Sequence, residues 1–394
     1  MSDTNDGGSG IGDSYSERSW FSRIGASIKG VLFGLGLLVG SSILLFWNEG
    51  RAVQTERSLA EGRNLVIAGD PARIEPLNEG KLVHINGDVK AVVPLRDPEF
   101  GVSANGLRLV RTVEMYQWME ETRTETRKTF GGGDETFTTT TYHLTWNGSR
   151  IDSGHFRRPE GHNNPQMRYT HATFTARDAT LGSFLPGERV LQILPANQVV
   201  RFEAALADRL RGLISGPLQV ADGKLYLGVN PNQPRAGDHR ISFTIAPNGP
   251  VSFIGRQSGA DLSEFQTKTG DRLLMARSGL MSAPEMFKVA EDENRVLTWV
   301  LRLVGVLAMF FGFALALLFV RVIADFVPLI GNIVGAGALL VAGALTAVLA
   351  PALIALAWLL YRPLISIAVL VFGLCAAFGF RMVAARRTAA PSTA

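Results

Sequence analysis

Residues 30–47 read GVLFGLGLLVGSSILLFW and hold no charge. An uncharged run of about 18 residues is close to the minimum for a helix crossing a ~30 Å hydrocarbon core. A cleaved leader would carry a shorter apolar stretch closed by small residues. This run closes on Trp47-Asn48-Glu49-Gly50-Arg51, so it reads as a retained membrane anchor.

Composition agrees. Of 394 residues, 46% are hydrophobic, and 39 Lys+Arg face 35 Asp+Glu. The mean hydropathy is +0.15, with the apolar excess in this run and toward the C-terminal end. A purely soluble enzyme is therefore disfavoured. Cys375 is the single cysteine, which excludes a disulfide framework. A dispersed net charge of +4 argues against a nucleic-acid partner.

Three further crossings are expected, at 296–320, 336–359 and 364–381. Arg302 lies near enough to the start of the second to snorkel outward. Residues 326–361 as one helix would run about 54 Å, too long for a bilayer. Pro328, Gly331 and Asn332 interrupt its first third, so the third crossing is placed from Ala336 onward. The fourth follows the turn Tyr361-Arg362-Pro363. Four crossings put both ends of the chain on one side. Trp47, Trp299, Trp358 and Tyr361 then share the opposite interface, as an aromatic belt requires. Basic residues near the spans are almost balanced between the two sides. The basic tail, 382–394, tips the orientation toward cytoplasmic termini.

Small residues recur at helical spacing in span one (Gly30, Gly34, Gly36, Gly40) and span three (Ala338, Ala342, Thr346, Ala350). Such faces allow close helix contact, within a bundle or between copies in a homo-oligomer. No Asp, Glu, Lys or His lies mid-span, which argues against a pump or secondary transporter.

Residues 1–29 form a Gly-, Ser- and Asp-rich tail expected to be disordered. Residues 48–295 are long enough for a core and carry β-type runs punctuated by Gly, Pro, Asn and Asp. These include 81–85, 89–94, 107–118, 137–146, 189–194, 224–227, 241–246 and 251–256. Helices are expected at 52–64, 201–213 and 262–278. Another starts at Ser282 and runs toward span two. Residues 122–129 alternate Thr with charged residues, 131–133 are Gly, and 136–141 are again Thr-rich. This segment reads as a polar hairpin arm or as a loop. As an arm it could pair with another chain by edge addition. The fold class is thus an α+β membrane protein, with four transmembrane helices and a β-rich extracytoplasmic domain between spans one and two.

No Gly-x-Ser-x-Gly, Walker loop, His-Glu-x-x-His or cysteine pair is present. His155, His162 and His171 cluster in sequence, but no carboxylate pattern supports them as metal ligands. Asn147-Gly148-Ser149 is a formal glycosylation sequon that also reads as a turn. Asp238 fits a turn cap better than a catalytic acid. No catalytic, cofactor-binding or metal residue, and no cofactor, is expected. The leading reading is a non-enzymatic membrane scaffold whose partners are membrane lipids and other membrane proteins. The alternative is an envelope sensor that binds a lipid or other ligand beside the membrane.

Several segments, in this order, carry a resemblance. They are Asn48-Glu49-Gly50-Arg51-Ala52-Val53, then Asn78-Glu79-Gly80-Lys81-Leu82-Val83-His84-Ile85, then Val113-Glu114-Met115-Tyr116-Gln117-Trp118. Gly237-Asp238-His239-Arg240 and Thr298-Trp299-Val300-Leu301-Arg302 follow. Together, over residues 30–380, they resemble the transmembrane protein 43 family, also called LUMA. The resemblance implies four transmembrane helices with a large loop in the lumen, or in the periplasm of a bacterium. For eukaryotic members it implies the endoplasmic reticulum and inner nuclear membrane, and organisation of membrane-protein complexes with lamins and emerin. The Ala- and Arg-rich composition here also suits a bacterial source. Only the topology, an inner-membrane location and a scaffold-like role would then carry over.

Overall fold

The computed structural model describes residues 12–18, 20–128, 134–203, 208, 210, 214, 216–324, 328–363 and 367. In chain order the first elements are β1 (Gly12–Arg18), α1 (Trp20–Leu65), β2 (Ile67–Ala68), β3 (Leu82–Val89), β4 (Leu95–Arg96) and β5 (Ser103–Ala104). Then come β6 (Arg108–Lys128), β7 (Asp134–Asn147), β8 (Ala172–Thr175), α2 (Glu188–Gln192), β9 (Gln198–Val200), β10 (Leu218–Ala221) and β11 (Lys224–Leu227). The last are β12 (His239–Ala246), β13 (Gly249–Ser258), β14 (Asp261–Ser263), β15 (Phe265–Gln266), β16 (Arg272–Leu273), β17 (Met275–Ser278), α3 (Ala283–Ala324) and α4 (Pro328–Tyr361). They form two compact units, a β-rich one of 1–16, 58–125 and 136–289 and a helical one of 17–57, 126–135 and 290–394, so the chain changes unit inside α1, after Arg57, inside α3, after Val289, and at the ends of β1, β6 and β7.

The β-rich unit holds two main sheets. One has the order β1-β7-β6-β12-β11-β10, with β8 beside β6 and β9 beside β12. The other has the order β14-β13-β3-β2, with β17 beside β13. Alternation along β12 buries Ile241, Phe243 and Ile245, opposite Val113, Arg111 and Leu109 of β6. In the second sheet Phe253 pairs with Ile85. Residues from both sheets, among them Ile85, Leu109, Val113, Phe243 and Phe253, share one hydrophobic core. The β10–β11 turn is Asp222-Gly223, with φ of 51° and 72°. Two positive φ values in a two-residue loop match the right-handed strand twist, and Asp-Gly supplies them at little cost.

Several sequence expectations change here. The strand expected at 189–194 is helix α2, because Val190, Leu191 and Leu194 are buried together. The helix expected at 262–278 is instead β14 to β17. Pairing of β14 and β17 to β13 overrides local propensity there. The helix expected at 201–213 lies largely outside the described residues. Within the tail expected to be disordered, 12–18 is a strand beside β7 and Trp20 already begins α1. Strand pairing supplies backbone hydrogen bonds that composition does not reveal.

The polar segment after Gln117 is strand rather than loop, and its tip at 129–133 lies outside the described residues. Little burial was expected on either strand. On β7, however, Thr138, Thr140 and Tyr142 are buried, because that strand lies between β1 and β6. Residues 121–127 of β6 are all exposed.

The helices outrun the expected spans. Among the described residues, three are long and apolar enough to cross a membrane: Ser27–Leu65, Ala283–Leu317 and Ile333–Tyr361. The helix expected at 52–64 is simply the continuation of α1. Pro328 opens α4 instead of interrupting it, since a proline's missing N–H costs nothing in a first turn. At the start of α3, Glu285 Oε2 accepts from both the N–H and Oγ of Ser282, each at 2.8 Å. Glu285 N–H returns a longer bond to Ser282 Oγ at 3.4 Å, which completes a capping box, and the helix runs on without a break as the sequence suggested. The fourth crossing, at 364–381, lies outside the described residues but for Ile367.

Two buried histidines give the β-rich unit a pH response. His84 Nε2 lies 2.9 Å from the Met281 carbonyl, and His239 packs edge-on against Tyr169. Desolvation lowers both pKa values, so both rings are held neutral. The unfolded chain binds these protons near the ordinary value of about 6.5. Their stabilising contribution is therefore complete above that pH and is lost as the pH falls through and below it. Unfolding of the full-length protein should shift to lower temperature between pH 7.5 and pH 5.5. Thermal melts of a His84→Gln/His239→Gln variant should show a smaller shift over the same interval.

Candidate functional site: a polar clamp on three helices

The membrane unit is packed from one face of each helix. Leu45 of α1, Met309 of α3 and Ala350 of α4 are buried together, with Leu38, Val306 and Ile354 against them. Small residues set the helix spacing. A Cβ on Gly34 would fall 2.7 Å from the Gly312 carbonyl oxygen, and one on Gly305 would fall 2.6 Å from Leu45. Gly36 and Gly40 face open space. The small stripe of α1 is therefore split, with Gly34 inside the bundle. On α4, Ala342, Thr346 and Ala350 are buried, as their spacing suggested.

The next turn along these same faces is charged. Glu49 is 1% exposed. Arg302 grips it with two parallel bonds, Nε to Oε1 at 2.6 Å and Nη2 to Oε2 at 2.7 Å. Trp358 Nε1 donates to the same Oε2 at 2.8 Å. The guanidinium lies 4.9 Å from the Trp299 ring centre and 6.0 Å from that of Trp358. One residue from each helix thus meets at a single carboxylate. The bidentate geometry is the strong form of this pairing, and the indole faces add cation–π attraction.

A second polar layer follows. Asn48 Nδ2 donates to the Thr298 carbonyl at 3.1 Å. Arg51 donates to Asn294 Oδ1 at 2.8 Å and to Thr298 Oγ1 at 2.9 Å. Asn294 Nδ2 in turn reaches the Ala52 carbonyl at 3.1 Å. Beyond it, Arg57 donates to the Tyr361 carbonyl at 2.7 Å, and Arg362 pairs with Glu56. No side chain fits at Gly50, where a Cβ would fall 2.7 Å from the Tyr361 ring. These groups hold the helices in register by bonding to one another.

Arg302 therefore turns inward instead of snorkelling, and Trp358, expected in an aromatic belt, is a hydrogen-bond donor to Glu49. The sequence did hold a signal. Glu49 and Arg302 are opposite charges at ends of two spans that face the same side. Two segments noted apart in the sequence, 48–53 and 298–302, are the two sides of this clamp. A second such pair joins 113–118 to 237–240. There Arg240 holds Glu114 at 2.5 and 2.9 Å and lies over Trp146.

The histidine triplet does not converge. His155 pairs with Asp152 at 3.0 Å. His162 stacks on Tyr142 with centroids 3.9 Å apart, and His171 lies 3.1 Å from the Gly148 carbonyl. Among the described residues, no group of three or more His, Cys, Asp or Glu could hold a metal ion. Asp238 accepts from Arg235 N at 2.8 Å and from Tyr226 Oη at 2.6 Å. It closes a turn, and burial together with the hydrogen bond to Asp238 raises the Tyr226 pKa. Asn147 Oδ1 accepts from Ser149 N at 2.9 Å, which is a turn geometry.

Removing one partner of a buried ion pair costs about 3–5 kcal/mol, because the other charge is left desolvated and alone. Arg302→Met should therefore lower the melting temperature of the detergent-solubilised protein sharply. Adding Glu49→Gln to it should recover part of the loss. Size-exclusion thermal-shift measurement of the two single variants and the double variant gives the coupling. Small, additive losses would show that the pair contributes little.

The comparisons with known proteins fit this architecture. A family model described as transmembrane protein 43 matches residues 115–363. Mouse transmembrane protein 43 is 34% identical over 354 residues, covering 87% of each chain. Human transmembrane protein 43 is 34% identical over 361 residues, covering 89% of this chain and 88% of the human one. A fruit-fly (Drosophila melanogaster) transmembrane protein 43 homolog is 30% identical over 374 residues, covering 87% of this chain and 91% of its own length. No solved structure matches. With identity at this level across nearly the whole chain, carried on three membrane-length helices, the protein belongs to the transmembrane protein 43 family.

Proposed function

We propose that this protein is a non-enzymatic, multi-pass membrane scaffold that organises other membrane proteins. One observation carries the reading. Buried ionisable groups such as Glu49, Arg302, Asp97 and Arg111 are spent on one another, while a run of strand at 121–127 is left wholly exposed. The first feature builds a fixed frame, and the second offers a contact surface. In this reading a fourth crossing at 364–381 completes the bundle, the termini are cytoplasmic and the strands from β2 onward are lumenal or periplasmic, an arrangement that separates β1, which precedes span one, from the β7 edge it pairs with here. The location is the endoplasmic reticulum and inner nuclear membrane in a eukaryote, or the inner membrane in a bacterium. Its partners are membrane lipids and other membrane proteins.

A second reading, a sensor of a lipid or other ligand near the membrane surface, is favoured by α3. That helix carries the chain from Ala283 to Ala324 without interruption, so it could relay a signal.

Two measurements test the proposal. Reporters fused before residue 20 and after residue 394 should both be cytoplasmic, and one inserted at Gly132 should be on the other side. Termini on opposite sides would refute the four-span arrangement. Purification of the full chain in mild detergent should retain a reproducible set of membrane proteins that an unrelated four-span control does not. Recovery of bound lipid with no such proteins would replace the scaffold reading with the sensor.

A further inference from the structure

We propose that the free edge of β6 at Glu121–Glu125 pairs, antiparallel, with the same edge of a second copy of this chain, with Thr124 on the two-fold axis. This goes beyond the scaffold reading and stands whether or not other membrane proteins are bound.

The edge is defined by what stops before it. β12 runs beside β6 only as far as the His239–Met115 pair. Tyr116 on the same side donates its N–H to the Asp238 carbonyl and accepts from Gly237 N, both at 2.8 Å. Two residues on, the side-chain amide of Asn164 takes the place of a strand. Its Oδ1 accepts from Trp118 N at 2.7 Å, and its Nδ2 donates to Trp118 O at 2.9 Å. At Glu120 the neighbouring loop is still in contact, Arg157 N donating to the carboxylate at 2.6 Å. Beyond that point, among the described residues, no strand lies on this side of β6.

Backbone direction alternates along a strand. Tyr116 and Trp118 aim their N–H and C=O groups at this side, so Thr122 and Thr124 do too. Odd-numbered residues face β7, as the Thr141 Oγ1 bond to the Glu121 carbonyl shows. Unpaired strand edges usually carry Lys, Pro or a bulge that blocks association. The run Glu121-Thr122-Arg123-Thr124-Glu125 has neither Lys nor Pro. It is an uninterrupted stretch of β6 with Thr, a good strand former, at the outward-bonding positions.

The sequence is complementary to itself. Antiparallel pairing about Thr124 puts Arg123 opposite Glu125 of the second copy, and Glu125 opposite its Arg123. The two Thr124 residues form a hydrogen-bonded pair that exchanges both N–H···O bonds. Centring the axis on Arg123 or on Glu125 instead opposes like charges, which is destabilising. In a single copy, Arg123 Nη2 lies 3.3 Å from Glu125 Oε1, with side chains 81% and 59% exposed. A solvated pair of that kind contributes little, so exchanging it for two cross-strand pairs meets little resistance. The interface is isologous, so it closes at two copies and does not propagate.

Charge reversal tests the register with the full-length chain in detergent, read by native mass spectrometry and size-exclusion light scattering. The wild type should be a dimer. Arg123→Glu and Glu125→Arg should each raise the dissociation constant at least tenfold, with the monomer still folded because both side chains are exposed. The swap variant Arg123→Glu/Glu125→Arg should dimerise again. An equimolar mixture of the two single variants should form mixed dimers, since one copy presents two acids and the other two arginines. A monomeric wild type would overturn the proposal. So would single variants that dimerise as the wild type does, since association would then run through other surfaces. Loss of the dimer with retention of co-purified membrane proteins separates this pairing from the scaffold reading.

Discussion

The membrane unit depends on one carboxylate. Glu49 is buried where α1, α3 and α4 converge, and its oxygens are held by Arg302 and Trp358. A buried charge is tolerated only when paired and hydrogen-bonded. The helices must therefore keep the one register in which guanidinium and indole both reach it. Apolar faces alone would not impose this, since leucine and alanine stripes can slide along one another. Close backbone contact at Gly34 and Gly305 sets the distance between α1 and α3, and the Glu49 cluster sets their axial position. The Asn48–Arg51–Asn294–Thr298 layer repeats the constraint one turn on.

The β-rich unit uses the same device in a different setting. Arg111 is buried and bonded to Asp97, with a second ion pair to Glu99. Its Nε donates to the Thr170 carbonyl. Glu114 is held by Arg240 across two strands, and that pairing keeps its pKa below the ordinary carboxylate range. In both units an arginine fork closes on a carboxylate contributed by another element. Such pairs specify which elements meet. They add selectivity to a core whose bulk comes from the apolar residues of two sheets.

An element that is not consumed in this way stands out. The outer part of β6 is far longer than its neighbours need, and Asn164 ends the pairing on one side at Trp118. A strand extended past its own sheet, polar on both faces and charged in alternation, contributes little burial to the fold that carries it.

Much of this was legible in sequence. Uncharged length marked three membrane helices, because a bilayer sets a minimum run that composition alone reveals. β-type runs bounded by Gly, Pro, Asn and Asp marked β3, β6, β7, β12 and β13, because turn residues delimit strands by local chemistry. The Asn147 and Asp238 turns were readable from local chemistry. Other features were not. Residues 262–278 have helical character, yet pairing to β13 draws them into strands, and 189–194 went the other way once Val190 and Leu191 found the core. Residues 48–53 and 298–302 could be recognised separately as segments. That Glu49 meets Arg302, and that Trp358 completes the site from a third helix, depends on packing across some 250 residues of chain. Short-range sequence can state which residues carry charge and which faces are apolar. Only the tertiary structure decides which charge is buried against which, because that choice is made by contacts between elements distant in the chain.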